Sequence, residues 1–123
     1  MTAGAPSRLR FRRAARIKQS GEFARIRQQG QRLAVGCIVA NWRTGSPVGG
    51  RSRLGVVTSR RIGPSVVRSR ARRLLRESFR LHQGELAGPV DLVLVARPSI
   101  VGKPFAEVEK DFLTMLRKAR LFK

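Results

Sequence analysis

The sequence predicts an α+β fold, a small single-domain α/β sandwich of order α-β-β-α-β-α. Three observations carry that prediction. Residues 32–42, 53–59 and 91–97 (RLAVGCIVANW, RLGVVTS and DLVLVAR) are short apolar runs rich in β-branched residues, the composition of strands. The segments after Pro64 and Pro104 instead repeat their apolar positions at helical spacing. With 123 residues, 41% of them hydrophobic, the chain can bury one core and is too apolar for a disordered basic tail.

Residues 1–15 are basic and lack apolar periodicity, so a flexible arm is expected there, followed by one domain over 16–123. Ser20-Gly21-Glu22 opens a short helix with Ser20 as its cap. Phe23, Ile26 and Arg27 follow at helical spacing, and Gly30 stops the helix. Residues 32–42 read as one strand kinked at Gly36. Residues 43–52, RTGSPVGGRS, are turn chemistry throughout and predict a long hairpin loop into the strand 53–59. Gly63-Pro64-Ser65 breaks the chain, with Ser65 as N-cap of the next helix. After a loop at 84–89, residues 91–97 are nearly continuous in apolar character and read as a buried strand ended by Pro98. The last helix, 104–120, carries Phe105, Val108, Phe112, Met115 and Leu116 on one face. The strand–helix–strand unit over 53–97 predicts two parallel strands joined by a βαβ crossover.

That crossover helix holds the strongest functional signal. Residues 60–80, RRIGPSVVRSRARRLLRESFR, contain eight arginines and one acid, Glu77. At about 100° per residue, Leu81, Leu74, Val67, Ala71, Leu75 and Phe79 share one arc, and Arg72, Arg73, Arg76 and Arg80 share the opposite one. One face is built to dock on a core and the other to meet a polyanion, because unpaired like charges along a helix repel. The whole chain agrees, with 27 basic against 7 acidic residues and a net charge of +20. The ratio of 22 Arg to 5 Lys fits bidentate phosphate recognition or a genome-wide codon bias equally well. No run of 18 apolar residues exists, and the N-terminus lacks the apolar stretch of a secretory signal. Nucleic acid is therefore the expected partner ahead of a membrane, and the cytoplasm the expected compartment.

A catalytic or metal site is not expected in the chain itself. His82 is the only histidine, so a multi-histidine zinc site is impossible, and a structural or solvent-facing role is expected for it. Cys37 is the only cysteine, expected mid-strand and inert. Glu107, Glu109 and Asp111 read as a solvated helix face. The VGG at 48–50 lacks the remainder of a phosphate loop.

The order of residues narrows the polyanion. The run S-R-R-I-G-x-x-V-x-R-S-R-x-R-R-L-L-R-E-S-F-R closely resembles the signature of the bacterial ribonuclease P protein subunit. Residues 16–30, RIKQSGEFARIRQQG, resemble that family's opening helix, and residues 91–99, DLVLVARPS, its last strand and exit. The resemblance implies a cofactor protein for a large catalytic RNA that cuts the 5′ leader from precursor tRNA, with Mg2+ held mainly by the RNA. It implies that Arg60, Arg61, Arg68, Ser69, Arg70, Arg72, Arg73 and Arg76 contact the catalytic RNA. It further implies that a cleft with Phe23, Arg27 and Trp42 holds the single-stranded leader, and that the protein is monomeric outside the holoenzyme. Ser69 stands where the family usually has Asn, Arg27 where it often has a second aromatic, and Ala40 where an aromatic is common. Weaker base stacking and a larger share for charge are expected in the leader cleft. The competing readings are a basic ribosomal or RNA-assembly protein without an enzymatic partner, and a metal-dependent nuclease in its own right.

Overall fold

The computed structural model describes residues 20–44 and 52–123. Its elements are α1 (Ser20–Gln29), β1 (Gln31–Val35), β2 (Ile38–Thr44), β3 (Arg53–Val57), α2 (Ser65–His82), β4 (Val90–Ala96) and α3 (Phe105–Lys118). The strands form one sheet of order β1-β2-β4-β3, antiparallel except for the parallel pair β3 and β4, which α2 connects. The expected α+β class and βαβ unit are therefore present, while three local expectations are corrected.

Residues 32–42 are two strands and not one kinked strand. Gly36 adopts φ +55°, and the chain reverses at Gly36-Cys37 so that Val35 pairs with Ile38. Glycine serves twice at this point, since it takes a left-handed conformation cheaply and a Cβ there would lie about 2.2 Å from the Asp111 carboxylate. Cys37 thus sits in the turn, where its backbone N–H donates to Asp111 Oδ2 at 3.0 Å.

Residues 43–52 do not close a hairpin, because β4 lies between β2 and β3 and pairs with both. β4 is the most continuously apolar strand, and the sheet centre is where both its faces and both its edges are covered. Turn composition reports that the chain reverses without reporting which strand becomes the neighbour. Residues 45–51, like the arm at 1–15, lie outside the described residues.

Ser65 is the first residue of α2 and not its cap. Pro64 holds the cap position in extended backbone, and its carbonyl accepts the first helical bond from Arg68 N–H at 3.0 Å. Gly30 ends α1 as expected, by close approach: its N–H donates to the Ile26 carbonyl at 2.8 Å, and a Cβ would fall 2.3 Å from the Trp42 carbonyl oxygen.

Strand alternation divides the interior into two layers. On one side of the sheet, Ile38, Ala40 and Trp42 of β2, Leu54 of β3, and Leu92 and Leu94 of β4 join one core with α2 and α3. The helices contribute Ala71, Leu75 and Phe79 from α2, and Val108, Phe112, Met115 and Leu116 from α3. On the other side, Ile26 of α1 packs on Val93, with Val57 and Val95 beside them. Full burial of a large apolar side chain stabilises by about 1.5–3 kcal/mol, so the deeper layer dominates. The apolar arc of α2 centres on Ala71, Leu75 and Phe79; Val67 and Leu74 are only partly buried, and Leu81 lies off the core.

Asp91 is fully buried, and sequence reasoning read it only as the start of a strand. Register places it opposite Arg43 of β2 and Arg53 of β3. Arg53 grips it in a fork (Nε to Oδ1 2.9 Å, Nη2 to Oδ2 3.0 Å), and Arg43 Nη2 donates to Oδ2 at 3.1 Å. A one-residue slip of β4 would bury this carboxylate unpaired, so the cluster specifies register.

Candidate nucleic-acid interface

α2 begins without an acid in its first turn, and Arg72, Arg73, Arg76 and Arg80 share its side away from the core. Ser69, Arg72, Arg73, Arg76, Glu77 and Arg80 line an open groove of about 320 Å³ along it. Arg72 is fixed there by two hydroxyls: Nη1 donates to Thr58 Oγ1 at 2.7 Å and Nη2 to Ser69 Oγ at 3.1 Å. Arg73 is exposed. Arg80 pairs with Glu77 within the helix (Nε to Oε1 2.5 Å, Nη2 to Oε2 2.9 Å). That hydrogen bonding holds the Glu77 carboxyl below its ordinary range, against the opposing effect of burial. The single acid of the groove is thus neutralised locally, and Arg72, Arg73 and Arg76 line the groove beside it. Guanidinium forks suit phosphate oxygens.

The other expected contacts lie toward the N-terminal end of α2. Arg60 and Arg61 are exposed on a 3-10 turn before the helix. Arg70 turns away from the groove, its Nη2 donating to the Lys103 carbonyl at 3.0 Å. Arg68 is half-buried, with Nη2 3.4 Å from Ser65 Oγ. Ser69 is exposed and touches Arg72, so its hydroxyl orients a guanidinium in addition to facing outward.

A second groove, of about 350 Å³, lies on the opposite side of the sheet beneath α1. Arg27, Gln28, Arg32, Val39, Asn41 and Val95 line it. Arg27 is exposed at its rim. Phe23 lies on α1, but its side chain is outside the described residues. Trp42 is corrected: it is only 4% exposed and belongs to the main core on the far side of the sheet. The reason is alternation, since Val39 and Asn41 face the groove and therefore Ala40 and Trp42 cannot. An aromatic at position 40 would also have faced the core. Sequence reasoning missed Gln28, Arg32 and Asn41. The available signal was Asn41 itself, a polar residue alternating inside an apolar run, with Arg32 as its register partner.

Both titratable candidates hold partners within the fold. His82 bridges α2 to α3, with Nδ1 2.6 Å from Glu85 Oε2 and Nε2 2.7 Å from Glu109 Oε2. Burial pulls its pKa down, but the hydrogen bonds to Glu109 and Glu85 and their charges outweigh burial and raise it above the ordinary value. The Cys37 thiol is pushed up to about 11, by burial first and by Asp111 second. A thiol so protonated is a poor nucleophile. Glu109 and Asp111 each hold a specific partner, so the face read as merely solvated is structural there; Glu107 is exposed. Among the described residues, no three His, Cys, Asp or Glu side chains gather as metal ligands. No helix among them is long and apolar enough to cross a membrane.

The model of the family Ribonuclease P matches residues 11–120. The ribonuclease P protein component of Syntrophomonas wolfei is 34% identical over 108 residues, which are 88% of this chain and 89% of that protein. The component from Chloroflexus aurantiacus is 37% identical over 113 residues, covering 90% and 82%. Among solved structures, the Staphylococcus aureus RNase P protein superimposes with TM-score 0.81 at 25% identity, over 90% of this chain and all of that one. The Thermotoga maritima RNase P protein gives TM-score 0.74 at 26% identity, over 84% and 96%. Fold, signature helix and near-complete coverage agree: the chain belongs to the ribonuclease P protein family.

Proposed function

We propose that this chain is the protein subunit of a ribonuclease P holoenzyme that removes the 5′ leader from precursor tRNA. The observation that carries the reading is α2, in a member of this family. One side of the helix closes the core, and the other lines a groove with arginines whose only acid is paired internally. The α2 groove binds the catalytic RNA, together with Arg60, Arg61, Arg68 and Arg70. The α1 groove receives the leader, with Arg27 and Arg32 on its phosphates and Asn41 able to meet a base edge.

In this reading the catalytic centre lies in the RNA, which also holds the magnesium ions that the cleavage needs. What the protein supplies is position and charge, since a field of this strength draws in two RNA partners that would otherwise repel one another. The same net charge opposes self-association, so the free protein is monomeric, and the complex works in the cytoplasm.

The test is reconstitution. Purified protein, a bacterial ribonuclease P RNA and a precursor tRNA are combined at low magnesium, and leader release is followed. Cleavage that needs both protein and RNA is the expected result. Cleavage by the protein alone would indicate a nuclease, and no stimulation at all would indicate an RNA-assembly protein.

A further inference from the structure

Large exposed hydrophobic side chains are few among the described residues, and two stand together. Val66, on the first turn of α2, is 80% exposed, and Val101, after the 3-10 turn Pro98–Ile100, is 50% exposed. They are the two lips of a slot of about 200 Å³ floored by Val67, Ala71 and Ile100. Lone exposed valines need no explanation, but two that open into a common apolar recess mark a contact surface. The surroundings of the slot are cationic. Arg70 lies one helical turn from Val66 and forms part of the slot wall. Its guanidinium is held by a hydrogen bond to the Lys103 carbonyl at 3.0 Å. Arg60 and Arg61 are exposed on the turn just before α2.

An occupant must therefore offer a flat apolar body and a negative charge a few ångströms away. A nucleotide whose base has left its stack meets both demands: RNA is read largely through such splayed bases, and here the apolar lips would pack against the base face while Arg70 meets its phosphate. A second copy of this chain would bring more positive charge to a positive rim, and a peptide would need acids that nothing here selects. We infer that the slot between Val66 and Val101 holds one unstacked nucleobase of the RNA partner, with its phosphate on Arg70. This rests on the proposed RNA-binding function and adds to it a base-sized contact separate from the phosphate groove of Ser69, Arg72, Arg73 and Arg76. It also gives Arg70 a task distinct from that of Arg72.

The experiment compares the affinity of the full-length protein for a bacterial ribonuclease P RNA across a salt series. Val66→Ala combined with Val101→Ala should weaken binding about tenfold, in the range expected for apolar area no longer buried, with the salt slope unchanged because no phosphate contact is lost. Arg70→Ala should instead lower the slope by about 0.9. As a second measurement, a photocrosslinker on Val66→Cys should mark one unpaired nucleotide. Both valines are exposed, so thermal melting should not move; the buried Cys37 thiol should stay unlabelled. Wild-type affinity in the double variant, a changed slope, or crosslinks scattered over paired RNA would overturn the slot. A double variant that alters only self-association in sedimentation would identify a second copy as the occupant and overturn it equally. If the wild-type protein itself failed to bind the RNA, the proposed function would fall instead, so the two failures are distinguishable.

Discussion

Replacing Arg72 and Arg73 together by alanine separates the two faces of α2. Both side chains line the groove away from the core, and the only described bonds of Arg72 go to the Thr58 and Ser69 hydroxyls. A side-chain hydrogen bond contributes about 0.5–1.5 kcal/mol net, and the Ser69 contact is exposed. The pair should therefore cost roughly 1 kcal/mol, or about 4 °C in Tm for a domain of this size. Binding should change far more. Each phosphate contact contributes about 0.9 to the slope of log K against log salt. Losing two makes the affinity drop between about 50 and 200 mM salt roughly tenfold smaller than in the wild type. Leu75→Ala is the counterpart. Leu75 is fully buried between α2 and the sheet, so its truncation should cost about 2–5 kcal/mol, or roughly 8–20 °C, and leave the slope alone. The assays are thermal melting and filter binding over a salt series. An arginine pair that melts lower than Leu75→Ala, or a salt slope that does not change, would refute the division of faces.

Three further outcomes are expected. Asp91→Ala removes the carboxylate that Arg53 grips, and the Arg53 side chain is only 8% exposed; removing one partner of a buried pair costs about 3–5 kcal/mol. Arg43→Ala, at 24% exposure with the Arg53 fork intact, should cost less, and equal Tm losses would contradict the geometry. The pKa of His82 is raised by its partners, net of burial, so its bonds to Glu85 and Glu109 stabilise most below the unfolded value of about 6.5, and that stability fades as pH rises through the raised folded value; melting of the wild type relative to His82→Gln should show a gap that closes toward alkaline pH, and a gap constant with pH would argue against the bridge. Arg27→Phe should reduce the salt slope for leader binding by about 0.7, the single-strand value per phosphate, and a leader affinity already insensitive to salt in the wild type would mean that charge is not its main source.

Much of this molecule was legible in the sequence because period and composition are local properties. The apolar arc of α2 could be projected from residue numbers, and Ala71, Leu75 and Phe79 are buried as it requires. The final helix and the buried strand β4 followed from the same reasoning. What escaped were properties of pairing. Nothing local in 32–42 distinguishes a kinked strand from two strands meeting at Gly36, because the decision lies with Asp111, 75 positions away, which leaves no room for a Cβ. Nothing in RTGSPVGGRS says that β4 will enter between the strands it connects. The resemblance placed Trp42 in the leader cleft, and only strand alternation together with the groove lining of Val39 and Asn41 shows that Trp42 faces the other side of β2. Ser69 reads in sequence as a lost amide, whereas its hydroxyl accepts from Arg72 and so helps to hold the groove's central guanidinium.

The division of labour between the two grooves can be measured directly by tethered hydroxyl-radical cleavage in the reconstituted holoenzyme. The native thiol, buried with its pKa pushed up to about 11, leaves Arg73→Cys and Arg27→Cys as the only reactive sites for an iron chelate. Cuts from position 73 should fall in the catalytic RNA and spare the leader, and cuts from position 27 should fall in the leader of the bound precursor tRNA. Leader cleavage from position 73, or catalytic-RNA cleavage alone from position 27, would contradict the assignment of the α2 groove to the catalytic RNA and of the α1 groove to the leader.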